Sequence, residues 1–209
     1  VNNLSLEELK SQSRQMLADG IHGICFSAYD EGQKPGDQLS EAQVRRKLEI
    51  LKPHISWVRT FSCTEGNEII ARVAHEMGIK TLVGAWLGDD LEKNEGEIEA
   101  LVALCKEGVV DVAAVGNEVL YREDLTVEAL LDYIKRVKAQ VTEVPVGYVD
   151  AYYEFTDHPE VADICDIILA NCYPYWEGCS LESIQDTRMV ATTRRIMASR
   201  LLISGASCP

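Results

Sequence analysis

The chain is poor in positive charge. Twenty lysines and arginines face 34 aspartates and glutamates, for a formal net charge of −14 at pH 7. That balance argues against nucleic acid or an anionic membrane as partner, since both need cationic patches. The acidity itself reads as a solubility device. Long apolar runs are also missing, and none approaches the ~20 residues of a membrane span. The opening residues, Val1-Asn2-Asn3-Leu4-Ser5-Leu6-Glu7-Glu8, lack the basic and apolar regions of a signal peptide, so the expectation is a cytoplasmic protein. The seven cysteines (Cys25, Cys63, Cys105, Cys165, Cys172, Cys179 and Cys208) contain no C-x-x-C pair and are odd in number. Several lie in apolar runs, as expected for buried free thiols in a reducing compartment. His22, His54, His75 and His158 show no ligand spacing. Neither a metal site nor a cofactor is expected.

What the chain does have is a recurrent strand-and-helix pattern. Its 209 residues, 46% hydrophobic, suffice for one full core, so residues 1–209 read as a single domain. Strand-like runs occur at Gly23–Ala28, Ile55–Ser62, Lys80–Leu87, Val110–Val115, Val144–Val149, Cys165–Asn171 and Arg200–Ser204. Most lack a period of two, as in strands buried on both faces. Helices are expected between them. Leu6–Leu17 ends at Gly20, and Ser40 with Gln43 makes a capping box ahead of Val44, Leu48 and Leu51. Thr64 is the expected N-cap of a helix carrying Ile70, Val73 and Met77, which Gly78 ends. Glu97–Cys105 stops at Gly108, and Thr126 caps a helix with Leu130, Ile134 and Val137 inward. This α/β order means a parallel sheet with right-handed crossovers. With no G-x-G-x-x-G after the first strand, and polar or aromatic residues at nearly every strand end, a closed barrel is favoured over a doubly wound open sheet. A TIM-type (β/α)₈ barrel needs eight strands and typically ~250 residues. The expectation is therefore an incomplete barrel of about seven strands, without the eighth βα unit. Its open edge invites self-association.

In such barrels function collects at the carboxyl ends of the strands. Val112-Ala113-Ala114-Val115-Gly116-Asn117-Glu118-Val119 is an apolar strand running into Asn-Glu. A glutamate so placed suits general acid/base work on a sugar bond; alternatively it caps the next helix or faces solvent. Other strand ends carry Tyr29 and Asp30, Arg59 and Phe61, Trp86 with Asp89 and Asp90, Asp150 with Tyr152 and Tyr153, then Tyr173, Tyr175 and Trp176. Carbohydrate recognition uses this mixture of aromatic faces, carboxylates and amides. Arg59 has two readings: a structural arginine paired with a carboxylate, or a cation that keeps a nucleophilic carboxylate ionised. Asp89-Asp90 reads as a solvated turn leading into the next helix.

Gly116-Asn117-Glu118-Val119, Trp57-Val58-Arg59-Thr60-Phe61 and Asn171-Cys172-Tyr173-Pro174-Tyr175 together resemble glycoside hydrolase family 17. The likeness runs from Gly23 to about Trp176 and looks closest to compact bacterial members and to glucanase-like modules fused to β-glucan synthases. It implies a (β/α)₈ barrel acting on β-1,3-glucan by retaining hydrolysis or transglycosylation. It further implies Glu118 as general acid/base, Asn117 as the amide binding the 2-hydroxyl beside the cleaved bond, and Tyr173 and Arg59 as neighbours of the nucleophile. Tyr29, Trp86, Tyr175 and Trp176 complete the expected substrate-binding set.

One motif departs from the family. Its nucleophile lies in Ile-Ser-Glu-Thr-Gly-Trp-Pro, whereas this chain reads Ile203-Ser204-Gly205-Ala206-Ser207-Cys208-Pro209. Gly205 stands where the glutamate belongs, and retaining hydrolysis needs two carboxyl groups about 5–5.5 Å apart. Asp150 and Glu154 are the carboxylates that could stand in. Three functions follow from these residues: a β-glucan hydrolase or transglycosylase weakened at residue 205, a non-catalytic β-glucan-binding protein, or an open-sheet enzyme unrelated to sugars. The third requires that Glu118 and Tyr173 do not face one cavity.

Overall fold

The structure, a computed structural model, describes residues 4–173 and 176–178. Six parallel strands lie side by side in chain order: β1 (Ile21–Cys25), β2 (Ile55–Arg59), β3 (Lys80–Ala85), β4 (Val112–Asn117), β5 (Val146–Ala151) and β6 (Ile167–Asn171). A doubly wound sheet would reverse this order at a switch point. An unbroken sequential order is instead the wall of a barrel, and the six strands curl into a half-barrel clad in helices. The open-sheet reading is set aside on this topology. The expected strand Arg200–Ser204 lies outside the described residues.

Side-chain alternation sorts the two faces of the wall. Leu82, Val112, Ala114, Val149, Ile167 and Leu169 pack together on the inner face, with Trp57 against them. Their neighbours Val83, Ala113, Val115, Tyr148, Ile168 and Ala170 pack outward into the helical layer. Both faces are therefore apolar, which is why the strands show no period of two in sequence.

The helices are α1 (Leu6–Asp19), α2 (Glu41–Leu51), α3 (Glu68–Glu76), α4 (Leu91–Glu107), α5 (Val127–Lys138), α6 (Glu154–Asp157) and α7 (Pro159–Ile164). Ser40 and Thr126 cap α2 and α5, accepting from the amides of Gln43 and Ala129, but the expected box at Ser40 is half made, since the Gln43 side chain donates to Ala28 O at 2.7 Å instead. Thr64 does not cap α3. That helix begins at Glu68 behind Asn67, and the Thr64 hydroxyl donates instead to Glu97 at 2.5 Å. Helix α4 begins well before Glu97, because Asp90 accepts from the Lys93 amide at 3.1 Å and caps it. Asp89-Asp90 is thus the exposed turn leading into the helix that the sequence suggests, with Asp90 as its cap. Helix α1 buries none of its residues and leaves Leu6, Leu9, Met16 and Leu17 exposed.

The thiols divide. Cys63, Cys105 and Cys165 are buried and free, and burial pushes Cys105 and Cys165 up to about 12. Cys25 is exposed and Cys172 half-buried, so buried free thiols describe only part of the set; both sit at the ends of strands, where the core stops.

Candidate active site

Three inner-face positions converge at the carboxyl ends of the strands. Arg59 follows Trp57 by two residues, Asn171 follows Leu169 by two, and Asn117 ends β4. The Arg59 guanidinium is buried, donates to Asn171 Oδ1 at 3.2 Å and to Asn117 Oδ1, and lies 4.7 Å over the Phe61 ring. Its partners here are neutral amides, and its Nε has no hydrogen bond among the described residues. Desolvating a cation without an acidic partner costs several kcal/mol, and Arg59 has none among the described residues.

Glu118 is brought to the same place by a local break in the ladder. Ala114 pairs with Gly147, but Asn117 pairs with Val149, so β4 carries one residue more than β5 over this stretch. A bulge of this kind bends the strand and re-aims its side chains. Gly116 adopts φ +91°, and a Cβ there would meet Val119 at 2.8 Å and Tyr148 at 3.3 Å. Glu118 itself sits at φ +53°, a left-handed conformation that costs a non-glycine residue ~1–3 kcal/mol. The reward is geometric. Glu118 Oε1 accepts from Tyr173 Oη at 2.6 Å and from Asn171 Nδ2 at 2.8 Å. Among the described residues Oε2 carries no hydrogen bond and is the oxygen available to a ligand. Burial raises the Tyr173 phenol well above the usual tyrosine range, and the adjoining Glu118 carboxylate raises it further. That phenol stays a donor.

The remaining predicted residues are placed less uniformly. Trp86 is 36% exposed, with the Arg122 guanidinium 4.4 Å from its ring centroid. Arg122 also donates to the carbonyls of Asn117 and, at 2.8 Å, Leu87. Trp86 is thereby tied to the turn that bears Glu118. Tyr29 is half-buried; its ring packs with the Phe26 and Leu39 cluster and its hydroxyl accepts from Asn67 Nδ2 at 3.3 Å. Trp176 is 82% exposed. Tyr175 and Gly205 lie outside the described residues.

The two stand-in carboxylates fare poorly. Asp150 shares the outward parity of Tyr148 and is fully buried, accepting from the amides of Leu120 and Ala151 at 3.2 and 2.7 Å. Glu154 opens α6 and faces His158 at 3.6 Å. Asp150 thus turns away from the barrel axis, since a strand alternates its faces.

Sequence reasoning gave no role to Asn171, Arg122 or Glu97. Asn171 had a signal, lying two residues before Tyr173 at a strand end. Arg122, four residues past Glu118, had none, because its partners are backbone carbonyls. Glu97 is fully buried and accepts from Ser62, Thr64, the Cys63 amide and the Trp86 amide, pinning the loops after β2 and β3.

Comparison with known proteins supplies the family. Glucan 1,3-beta-glucosidase of Saccharomyces cerevisiae is 26% identical over 185 residues, covering 79% of this chain and 59% of that protein. Glucan 1,3-beta-glucosidase of Arthroderma benhamiae is 28% identical, covering 77% and 55%. The chain therefore spans somewhat more than half the length of these curated relatives. They are fungal, and the bacterial affinity drawn from the motifs finds no support among them. The glycoside hydrolase family 17 beta-1,3-glucanosyltransferase of Rhizomucor miehei superposes with a TM-score of 0.74 at 26% identity, over 89% of this chain and 71% of that one. An active-site mutant of that enzyme, in complex with laminaritriose, matches equally. A Bacteroides uniformis beta-glucuronidase, 14% identical with a TM-score of 0.67, shares the fold alone. The BtgE/BtgC glycoside hydrolase domain matches residues 23–201, and the chain belongs to that family, a glycoside hydrolase family 17-like protein.

Proposed function

We propose that the chain acts on β-1,3-glucan as a retaining hydrolase or transglycosylase, with Glu118 as its general acid/base. The observation that carries this is the Glu118 carboxyl, raised on the β4 bulge and held through Oε1 by Tyr173 and Asn171. In that role Oε2 gives its proton to the leaving glycosidic oxygen and later takes one from the incoming water or sugar hydroxyl. The relatives' naming as glucan 1,3-beta-glucosidases and the laminaritriose complex support a β-1,3-linked glucan as the substrate. Asn117 and the exposed face of Trp86 are the proposed contacts to sugar hydroxyls and to a pyranose face.

Gly205 favours a second reading, a β-glucan-binding protein with little turnover, because glycine supplies no nucleophile. Calorimetric titration with laminaritriose, run beside a laminarin cleavage assay, separates the two. Binding with cleavage supports the enzyme, binding alone supports the second reading, and no binding contradicts both. If Trp86 is a sugar platform, Trp86→Ala should weaken laminaritriose binding about 3- to 10-fold. Unchanged affinity would remove Trp86 from the site.

A further inference from the structure

We infer that Tyr148 and Asp150, buried beneath the β4–β5 junction, form a positioning pair that fixes the Glu118 carboxyl. This rests on the proposed role of Glu118 but concerns residues that touch no substrate. A left-handed non-glycine residue persists only where its surroundings over-determine it. Here the determinants come from β5. The Glu118 amide donates to Val149 O at 2.7 Å. Two residues on, the Leu120 amide reaches both Tyr148 Oη at 3.0 Å and Asp150 Oδ2 at 3.2 Å, and the Tyr121 amide reaches Asp150 Oδ2 at 3.4 Å. Tyr148 Oη in turn donates to Asp150 Oδ2. One carboxylate oxygen thus gathers three donors, two from the turn itself, and the turn cannot rotate without breaking those bonds.

The chemistry of the pair suits a scaffold better than a reagent. Both side chains are fully buried, and Tyr148 is further packed edge-on against Phe155 at 5.8 Å. Burial raises the Tyr148 phenol far above the usual range, as does the charge of Asp150. Burial also raises Asp150, against the hydrogen bonds from Tyr148 and the turn amides, which favour its charged form. Tyr148 therefore stays a proton donor to Asp150, which accepts from both turn amides.

Tyr148→Phe removes one hydroxyl and keeps the ring, so the fold should survive; Asp150→Asn is the second variant. The readouts need no turnover. In Tyr148→Phe the Leu120 amide, which loses one of its two acceptors, should exchange with solvent about tenfold faster. The Cys63 and Trp86 amides, held by Glu97, should not change. The Tyr173 Cζ resonance, followed by carbon NMR at neutral pH, should shift, because its hydroxyl no longer donates to the Glu118 carboxylate. A merely structural tyrosine would leave the Tyr173 resonance where it was, and that result overturns the inference even if exchange quickens. Laminaritriose binding and cleavage by the unaltered chain judge the role of Glu118 separately, so failure of one is not read as failure of the other.

Discussion

Gly205→Glu is expected to raise the rate of laminarin cleavage by at least about 10³-fold. A retaining mechanism divides the work between a proton donor and a nucleophile, and removing the nucleophile from a catalytic unit that acts together typically costs about 10⁴–10⁶. The family's motif aligns Gly205 with that nucleophile, while the buried guanidinium of Arg59 has no acidic partner among the described residues. The resemblance to the family implies Arg59 beside the nucleophile, where its charge would hold a restored carboxylate ionised. Adding Glu118→Gln to the Gly205→Glu chain should remove about 10²–10⁴ of the gain, since an amide cannot donate the proton. Initial rates of reducing-sugar release from laminarin measure both. No gain on restoring the glutamate would mean that the motif alignment at residue 205 does not locate the nucleophile.

The largest loss of stability is expected from a residue far from any proton transfer. Glu97→Ala should destabilise the fold by about 3–5 kcal/mol, because it takes the acceptor from four donors and strands the two backbone amides among them. Ser62 Oγ and Thr64 Oγ1 reach its carboxylate at 2.5 Å, the Cys63 amide at 2.8 Å and the Trp86 amide at 3.1 Å. The hydroxyls can turn elsewhere, whereas the amides cannot. A fall in melting temperature on the order of 10 °C follows for a chain of this size. Glu97→Gln keeps one acceptor oxygen and should lose about half as much. Thermal or denaturant unfolding that leaves Glu97→Ala unchanged would show that these donors find other partners.

Much of the architecture was legible before any coordinates, and the reason is burial. Strands covered on both faces must be largely apolar, so β3 to β6 stand out as runs rich in Val, Ile, Leu and Ala, while β2 (Ile-Ser-Trp-Val-Arg) is more mixed. Caps are local, so Ser40 and Thr126 were readable from the three residues that follow each. Thr64 was misassigned because its best partner, Glu97, lies 33 positions away in sequence. Helix α4 was read short because Glu92, Lys93, Asn94, Glu95 and Gly96 hide any apolar stripe in its first turns. Glu118 was found from its place after an apolar strand, but the bulge and the positive φ that aim it were not. Those depend on how Gly116 and Tyr148 meet across two strands, which one-dimensional spacing does not encode. The same holds for Asp150, whose position at a strand end suggested chemistry while its parity turns it into the helical layer.

The central claim is that the Glu118 carboxyl meets a β-1,3-glucosidic bond. A crystal structure of the unaltered chain with laminaritriose tests this most directly, whether or not the chain turns over. The account predicts a glycosidic oxygen within about 3 Å of Glu118 Oε2, with Oε1 still held by Tyr173 and Asn171 and a sugar ring against Trp86. A trisaccharide seated elsewhere, or bound at these strand ends with no glycosidic oxygen in reach of Glu118, would contradict it.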